Sequence, residues 1–192
     1  MTEYKRPDLL FADIDRLRSI ASHMPFQVVL AGKAHPHDTQ GKQLIYRLRE
    51  HIRELAGAIA ITYLPNYNAD VALSLVSGVD IWLNTPLKPL EASGTSGMKA
   101  AFNGVPSLSV LDGWWLKGCI EGVTGWAVGD GSESSNSFAQ DHLYQKLEQV
   151  VLPLFQDRSG WVTVMKGAIA KNASYFNNHR MMRRYAAEAY IR

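Results

Sequence analysis

The sequence predicts an α/β fold: a parallel sheet with helices on both faces, followed by a block of C-terminal helices. Three observations predict it. Up to residue 128, short apolar runs rich in Val, Ile and Leu alternate with segments of helical periodicity. The connections between them are short. Beyond a Gly/Ser/Asp-rich stretch, residues 129–136, the pattern turns to helices alone.

Each element follows from local pattern. Pro7 to Ser22 places Leu9, Leu10, Ile14, Leu17 and Ile20 at helical spacing, and Pro7 suits a first turn. Phe26 to Gly32 is a continuous apolar run, predicting a strand buried on both faces. Thr39 to Ala56 is a second amphipathic helix, carrying Leu44, Ile45, Leu48, Ile52 and Leu55. A strand is predicted over Ala58 to Leu64, then a short helix over Ala69 to Ser77 closed by Gly78. Asp80 to Thr85 reads as a short buried strand ended by Pro86 and Pro89, with the segment from Glu91 onward helical. Ser107 to Leu111 and Trp126 to Val128 are the last two strands. Helices are then expected over His142 to Phe155, Trp161 to Tyr175 and His179 to Tyr190. Residues 1–141 would form the sheet domain and residues 142–192 a helical appendage packed on it. No repeat of fixed period is present.

Composition narrows the function classes. The 192 residues carry 20 basic and 18 acidic side chains, a net charge of +2, which argues against a general nucleic-acid or membrane-surface protein. Hydrophobic content of 46% is ample for a core. A single cysteine, Cys119, leaves no internal disulfide. The start reads as no signal peptide and the apolar runs are far short of a membrane span, so a cytoplasmic setting is expected. His35 and His37 resemble a metal pair, but with Pro36 between them they are read as loop residues and no metal is expected.

Chemistry concentrates in Glu91-Ala92-Ser93-Gly94-Thr95-Ser96-Gly97-Met98-Lys99. Small residues at a helix start leave backbone N–H groups free to bind anions. Glycines there would let the backbone approach a ligand. Lys99 lies two helical turns after Glu91, so both could border one cleft. Apolar neighbours, Met98, Ala100, Ala101 and Phe102, would favour the depressed pKa a reactive lysine needs. A strand's carboxyl end is where such sheets bind ligands. Taken by itself, a glycine-rich helix start is common.

The full string from Pro89 to Gly104 resembles the cofactor segment of the α-glucan (glycogen, starch and maltodextrin) phosphorylases. The resemblance covers Glu3 to about Tyr190. It implies a Rossmann-like domain, the carboxyl-terminal half of a GT-B glycosyltransferase. It implies phosphorolysis of an α-1,4-glucan by inorganic phosphate to glucose 1-phosphate, with pyridoxal phosphate held as a Schiff base on Lys99. Glu3-Tyr4-Lys5-Arg6 resembles the family's phosphate-site segment, which gives Lys5 a place beside the cofactor and substrate phosphates. Thr95 and Ser96 match cofactor-phosphate contacts, as does Tyr67; Glu91, Ser93 and Gly94 match contacts to the glucose hydroxyls. Asn68 stands where better-known members often carry arginine. The family's arginine five residues before the lysine would fall just ahead of Met1, so a cut piece of a larger enzyme is expected, lacking the amino-terminal GT-B domain. Alone it would release no glucose 1-phosphate and would tend to self-associate, with a homo-oligomer possible. The alternatives are a nucleotide-sugar glucosyltransferase of the same fold, such as a glycogen or starch synthase, and a non-catalytic cofactor-binding fragment. Synthases usually carry an acidic residue near the position of Lys99. Trp114 and Trp115 are read as turn aromatics or as cover for a domain interface.

Overall fold

In the computed structural model, which describes residues 1–131 and 136–191, the alternation read from the sequence is present. Two 3-10 turns, Glu3–Lys5 and Pro7–Phe11, precede helix α1, Ile14–His23. The single helix expected from Pro7 is therefore divided. Asp13 stops it and starts the next, its side chain accepting the Arg16 N–H at 2.9 Å as an N-cap. The apolar spacing still buries Leu9, Leu10, Leu17 and Ile20.

Strand β1, Gln27–Ala31, pairs in parallel with β2, Ala60–Leu64. Between them runs α2, Thr39–Glu54, capped by Asp38 through the Gly41 N–H at 2.8 Å. Helix α3, Ala69–Gly78, leads to β3, Trp82–Asn84. Then come α4, Thr95–Phe102, β4, Ser107–Val110, α5, Trp115–Gly118, and β5, Gly125–Val128. Strands β3, β4 and β5 form a second parallel group in that order. The sheet is thus hydrogen-bonded as two groups, β1–β2 and β3–β4–β5, among the described residues.

One core serves both groups. Leu44 and Leu48 of α2, Leu17 and Ile20 of α1, Leu108, Val110, Trp126 and Val128 form one buried cluster, against which Val28, Leu30, Ile61 and Leu83 pack. The opposite face is covered by α3 and α4, through Val76, Ala100 and Val105. The expectation that β1 is buried on both faces is corrected. Val29 remains 43% exposed and Gln27 is exposed, while Val28 and Leu30 turn to the core. Alternation, not a double burial, governs that strand.

The C-terminal helices begin earlier than expected. Helix α6, Asn136–Lys146, runs through a π turn, Leu147–Val151, into α7, Leu152–Gln156. The wide turn sits just ahead of Pro153, whose ring and missing N–H a regular helix would not accommodate. Helix α8, Arg158–Gly167, is followed by a π turn, Ala168–Ala173, and α9 spans Asn178–Tyr185. Of the loop expected over residues 129–136, residues 132–135 lie outside the described residues. Tyr144 docks α6 on the start of the chain: fully buried, its hydroxyl donates to the Leu10 carbonyl at 2.8 Å and accepts the Asp13 N–H at 2.9 Å. Burial raises that phenol to about 12. Among the described residues no helix is long and apolar enough to cross a membrane.

Candidate functional site

A cleft of about 230 Å³ opens at the carboxyl end of β3. One wall is the start of the chain, held there by backbone-directed bonds. The Leu87 N–H donates to the Tyr4 carbonyl at 2.6 Å, and the Thr85 hydroxyl donates to the Arg6 carbonyl at 2.8 Å. Arg6 returns two bonds, Nε to the Thr85 carbonyl at 2.9 Å and Nη2 to the Pro86 carbonyl at 2.8 Å. Burial lowers the Arg6 guanidinium below its ordinary value, with Asp8 opposing the shift. Residue 6 takes a left-handed φ of +41°, and that turn brings Lys5 over the loop. The Lys5 ammonium pairs with the Glu91 carboxylate.

The other wall is the turn Glu91–Gly94. Glu91 is only 5% exposed, and a buried carboxylate requires partners. Lys5 is one. Asp112, itself buried, fixes the backbone: its Oδ2 accepts the Glu91 N–H at 2.8 Å and its Oδ1 accepts the Gly113 N–H at 2.9 Å. The Trp114 N–H donates to the Ser93 carbonyl at 2.8 Å. The loop after β4 therefore props the turn from beneath.

Helix α4 begins only at Thr95. Gly94, at φ +87°, precedes it, and no side chain caps the helix. Its first amides are left to the cleft, which Lys5, Glu91, Ser93, Gly94, Thr95 and Ser96 all line. The glycines have a role that the sequence did not reveal. A Cβ at Gly94 would stand 2.9 Å from Trp114 Cδ1, and one at Gly97 would stand 2.9 Å from Trp114 Nε1. They make room for a tryptophan beneath the helix, where a ligand was expected.

The structure brings together six of the eight residues singled out from sequence: Lys5, Glu91, Ser93, Gly94, Thr95 and Ser96. Tyr67 is half-buried in the turn before α3, outside that lining, while its neighbour Asn68 caps α3 by accepting the Val71 N–H at 2.9 Å. Lys99 lies four residues past Thr95 on α4, so the two share a helix face. Two expectations for Lys99 are corrected. Glu91 lies outside the helix, so no count of turns relates the pair. The Lys99 side chain is exposed; Ala100 and Ala101 point to the core on the other side of the helix. Asp112 and Trp114 were missed as supports. Trp114 and Trp115 are 6% and 0% exposed, packed within this chain and not open at its surface. Among the described residues no group of three or more His, Cys, Asp or Glu side chains converges on a metal position.

Chemically, the cleft offers an ammonium, the hydroxyls of Ser93, Thr95 and Ser96 and an uncapped helix start to an anion, and a carboxylate to neighbouring hydroxyls. The family model described as carbohydrate phosphorylase matches residues 1–117, which include the whole of this cleft. The chain belongs to the carbohydrate phosphorylase family. Among phosphorylases it is 42% identical to the glycogen phosphorylase of Aquifex aeolicus over 99% of the chain. It is 40% identical to the maltodextrin phosphorylase of Thermococcus litoralis over 97% of the chain. It spans 29% and 23% of those two relatives, less than a third of their length. A protein of Methanocaldococcus jannaschii of uncharacterised function is 34% identical over 98% of the chain. The fold likeness of this phosphorylase-family chain extends to Anabaena HepE, solved with UDP-glucose. There the TM-score is 0.68 at 18% identity, over 97% of the chain and 46% of HepE. That likeness shows the fold: the Rossmann-like half of a GT-B architecture expected from the sequence.

Proposed function

We propose that this chain is the cofactor and sugar-phosphate half of an α-glucan phosphorylase, which splits α-1,4-glucan with inorganic phosphate to give glucose 1-phosphate. The observation that carries the reading is the cleft at the end of β3, where Lys5, Glu91 and the uncapped start of α4 converge. The uncapped start of α4 with the Thr95 and Ser96 hydroxyls suits a phosphate group such as that of pyridoxal phosphate. The amides of Thr95 and Ser96 with their hydroxyls would hold its phosphate, with Tyr67 a further partner, and Lys99 would hold its aldehyde carbon. When bound, that group supplies a second phosphate beside the substrate phosphate, able to assist proton transfer to the glycosidic oxygen.

The chain's own residues do the rest. Lys5 would turn its charge to the phosphates, the electrostatic contribution that dominates such sites. Glu91 would accept hydrogen bonds from sugar hydroxyls, which each of its oxygens can do. Ser93 and Gly94 fix the orientation of the sugar. Asp112, by accepting the Glu91 N–H, holds that residue's backbone in place. The sugar-chain half of the site belongs to the amino-terminal GT-B domain, and the setting is the cytoplasm. Alone, the chain is expected to release no glucose 1-phosphate.

Equilibrium dialysis of the chain against pyridoxal phosphate and, separately, against UDP-glucose and ADP-glucose tests the reading. Retention of pyridoxal phosphate with its absorption band, lost in Lys99→Met, is the expected result. Retention of a nucleotide sugar with no pyridoxal band would instead make the chain a nucleotide-sugar glucosyltransferase domain.

A further inference from the structure

The turn that opens the cleft leans on a side chain far along the sequence. Gly94, Gly97 and Gly118 together make space for the Trp114 indole: a Cβ at any of the three would stand 2.9 Å or less from a ring atom. Cδ1 and Nε1 face Gly94 and Gly97, while Cε3 and Cζ3 on the far side face Gly118. One flat ring therefore fills the gap between the start of α4 and the end of α5. The Trp114 N–H, bonded to the Ser93 carbonyl, ties the same residue to the turn.

Glycines make room for the indole but have no side chains to grip it. Its tilt is set by the two rings beside it. Trp115 meets it at 5.0 Å between centroids and is itself locked, fully buried with Nε1 donating to the Trp126 carbonyl at 3.4 Å. Phe176 meets it edge-on, at 5.2 Å and 87°. Phe176 comes from the C-terminal helices, outside the family-matched residues 1–117 and outside the cleft lining. The π turn Ala168–Ala173 places it. The Phe176 N–H donates to the carbonyl of buried Asn172 at 2.8 Å, and the π turn packs along α4. Ala168, Trp114, Phe176 and Ala101 of α4 share one apolar cluster. Wide helical turns of this kind are frequent near functional sites.

We infer that Phe176 is a positioning residue of the cleft: through Trp114 it fixes the turn Glu91–Gly94 and the uncapped start of α4. An edge-on aromatic pair sets an angle as well as a distance, which a merely apolar contact does not. Without the Phe176 ring the indole can tilt, and the Ser93 carbonyl and the amides that follow it move with it. The C-terminal helices thereby reach the site without touching a ligand. The effect on cofactor affinity rests on the proposed function; the effect on the turn does not.

Amide hydrogen exchange and pyridoxal phosphate titration on the intact chain test it. Two amides report the turn directly, that of Trp114, bonded to Ser93, and that of Glu91, bonded to Asp112. Phe176→Ala should speed their exchange about tenfold and weaken pyridoxal phosphate binding about threefold to tenfold, in keeping with what such a ring pair contributes. Phe176→Leu, which keeps apolar bulk and so the fold, should show the same changes at smaller size. Phe176→Tyr keeps the ring and should restore both to the level of the unaltered chain. Phe155→Ala is the control for general loosening. It removes an edge-on pair with Trp161, at 5.0 Å and 85° in the same C-terminal helices, and should leave both readouts unchanged. Turn amides that respond equally to Phe176→Ala and Phe155→Ala would overturn the inference, as would an unchanged affinity beside faster turn exchange. Selective loss of turn protection in a chain that binds no pyridoxal phosphate would count against the proposed function and still uphold the role of Phe176.

Discussion

At the candidate site Lys5 is partly exposed, whereas Glu91 and Asp112 are both buried. Removing the Lys5 ammonium should weaken pyridoxal phosphate binding about tenfold, the worth of a hydrogen bond to a charged group. Lys5→Met, titrated by absorbance, checks this, and an unchanged affinity would place the cofactor elsewhere. Asp112→Ala leaves the Glu91 and Gly113 amides without acceptors and should cost about 1–3 kcal/mol of stability in urea unfolding. Tyr144 makes a second residue-scale prediction. Its phenol stands at about 12 in the fold against an ordinary 10, so the folded state retains a proton that the unfolded chain gives up. That contribution is fully present below pH 10 and is lost as pH rises through 12, a fall of about 2–3 kcal/mol. Tyr144→Phe should be less stable at neutral pH, by about 1–2 kcal/mol, and should show a shallower alkaline decline in denaturant midpoints. Cys119, pushed by burial to about 12, contributes a decline of the same sign and is unaffected by that substitution.

At the scale of elements, α4 shows what the sequence could and could not reveal. Five residues of the segment, Glu91, Ser93, Gly94, Thr95 and Ser96, line one cleft together with Lys5. The start of α4 was misplaced because helical propensity in the residues before Thr95 is overridden by bonds to Asp112 and Trp114, some twenty residues away. No local pattern carries such a contact. Neighbours in sequence also misled: Met98, Ala100 and Ala101 surround Lys99 along the chain, but a helix turns them to other faces. The caps Asp13, Asp38 and Asn68 were legible as residue types, and Asp13 alone would have divided the first helix correctly. Gly94→Ala tests the turn. It adds a side chain at φ +87° and 2.9 Å from Trp114, so a loss of about 1–3 kcal/mol is expected, with pyridoxal phosphate affinity falling alongside. Retained stability and affinity would show that the turn tolerates a different backbone.

For the whole molecule, the alternation of strand and helix gave the fold class, because hydrophobic period survives without knowledge of contacts. The division of the sheet into two groups was not legible, since strand order depends on which edges meet. Val29, Leu73, Phe102, Tyr185 and Tyr190 leave apolar surface exposed, and α9 buries none of its residues. Concentration-dependent association is therefore expected in light scattering; a clean monomer at high concentration would contradict it. The proposal that the chain forms part of a phosphorylase active site is tested most directly at one amine on α4, that of Lys99. Borohydride reduction in the presence of pyridoxal phosphate, followed by peptide mass mapping, reads that amine directly. A pyridoxyl mass on the Lys99 peptide in preference to every other lysine is the predicted result, and an unmodified Lys99 with label elsewhere would contradict the account.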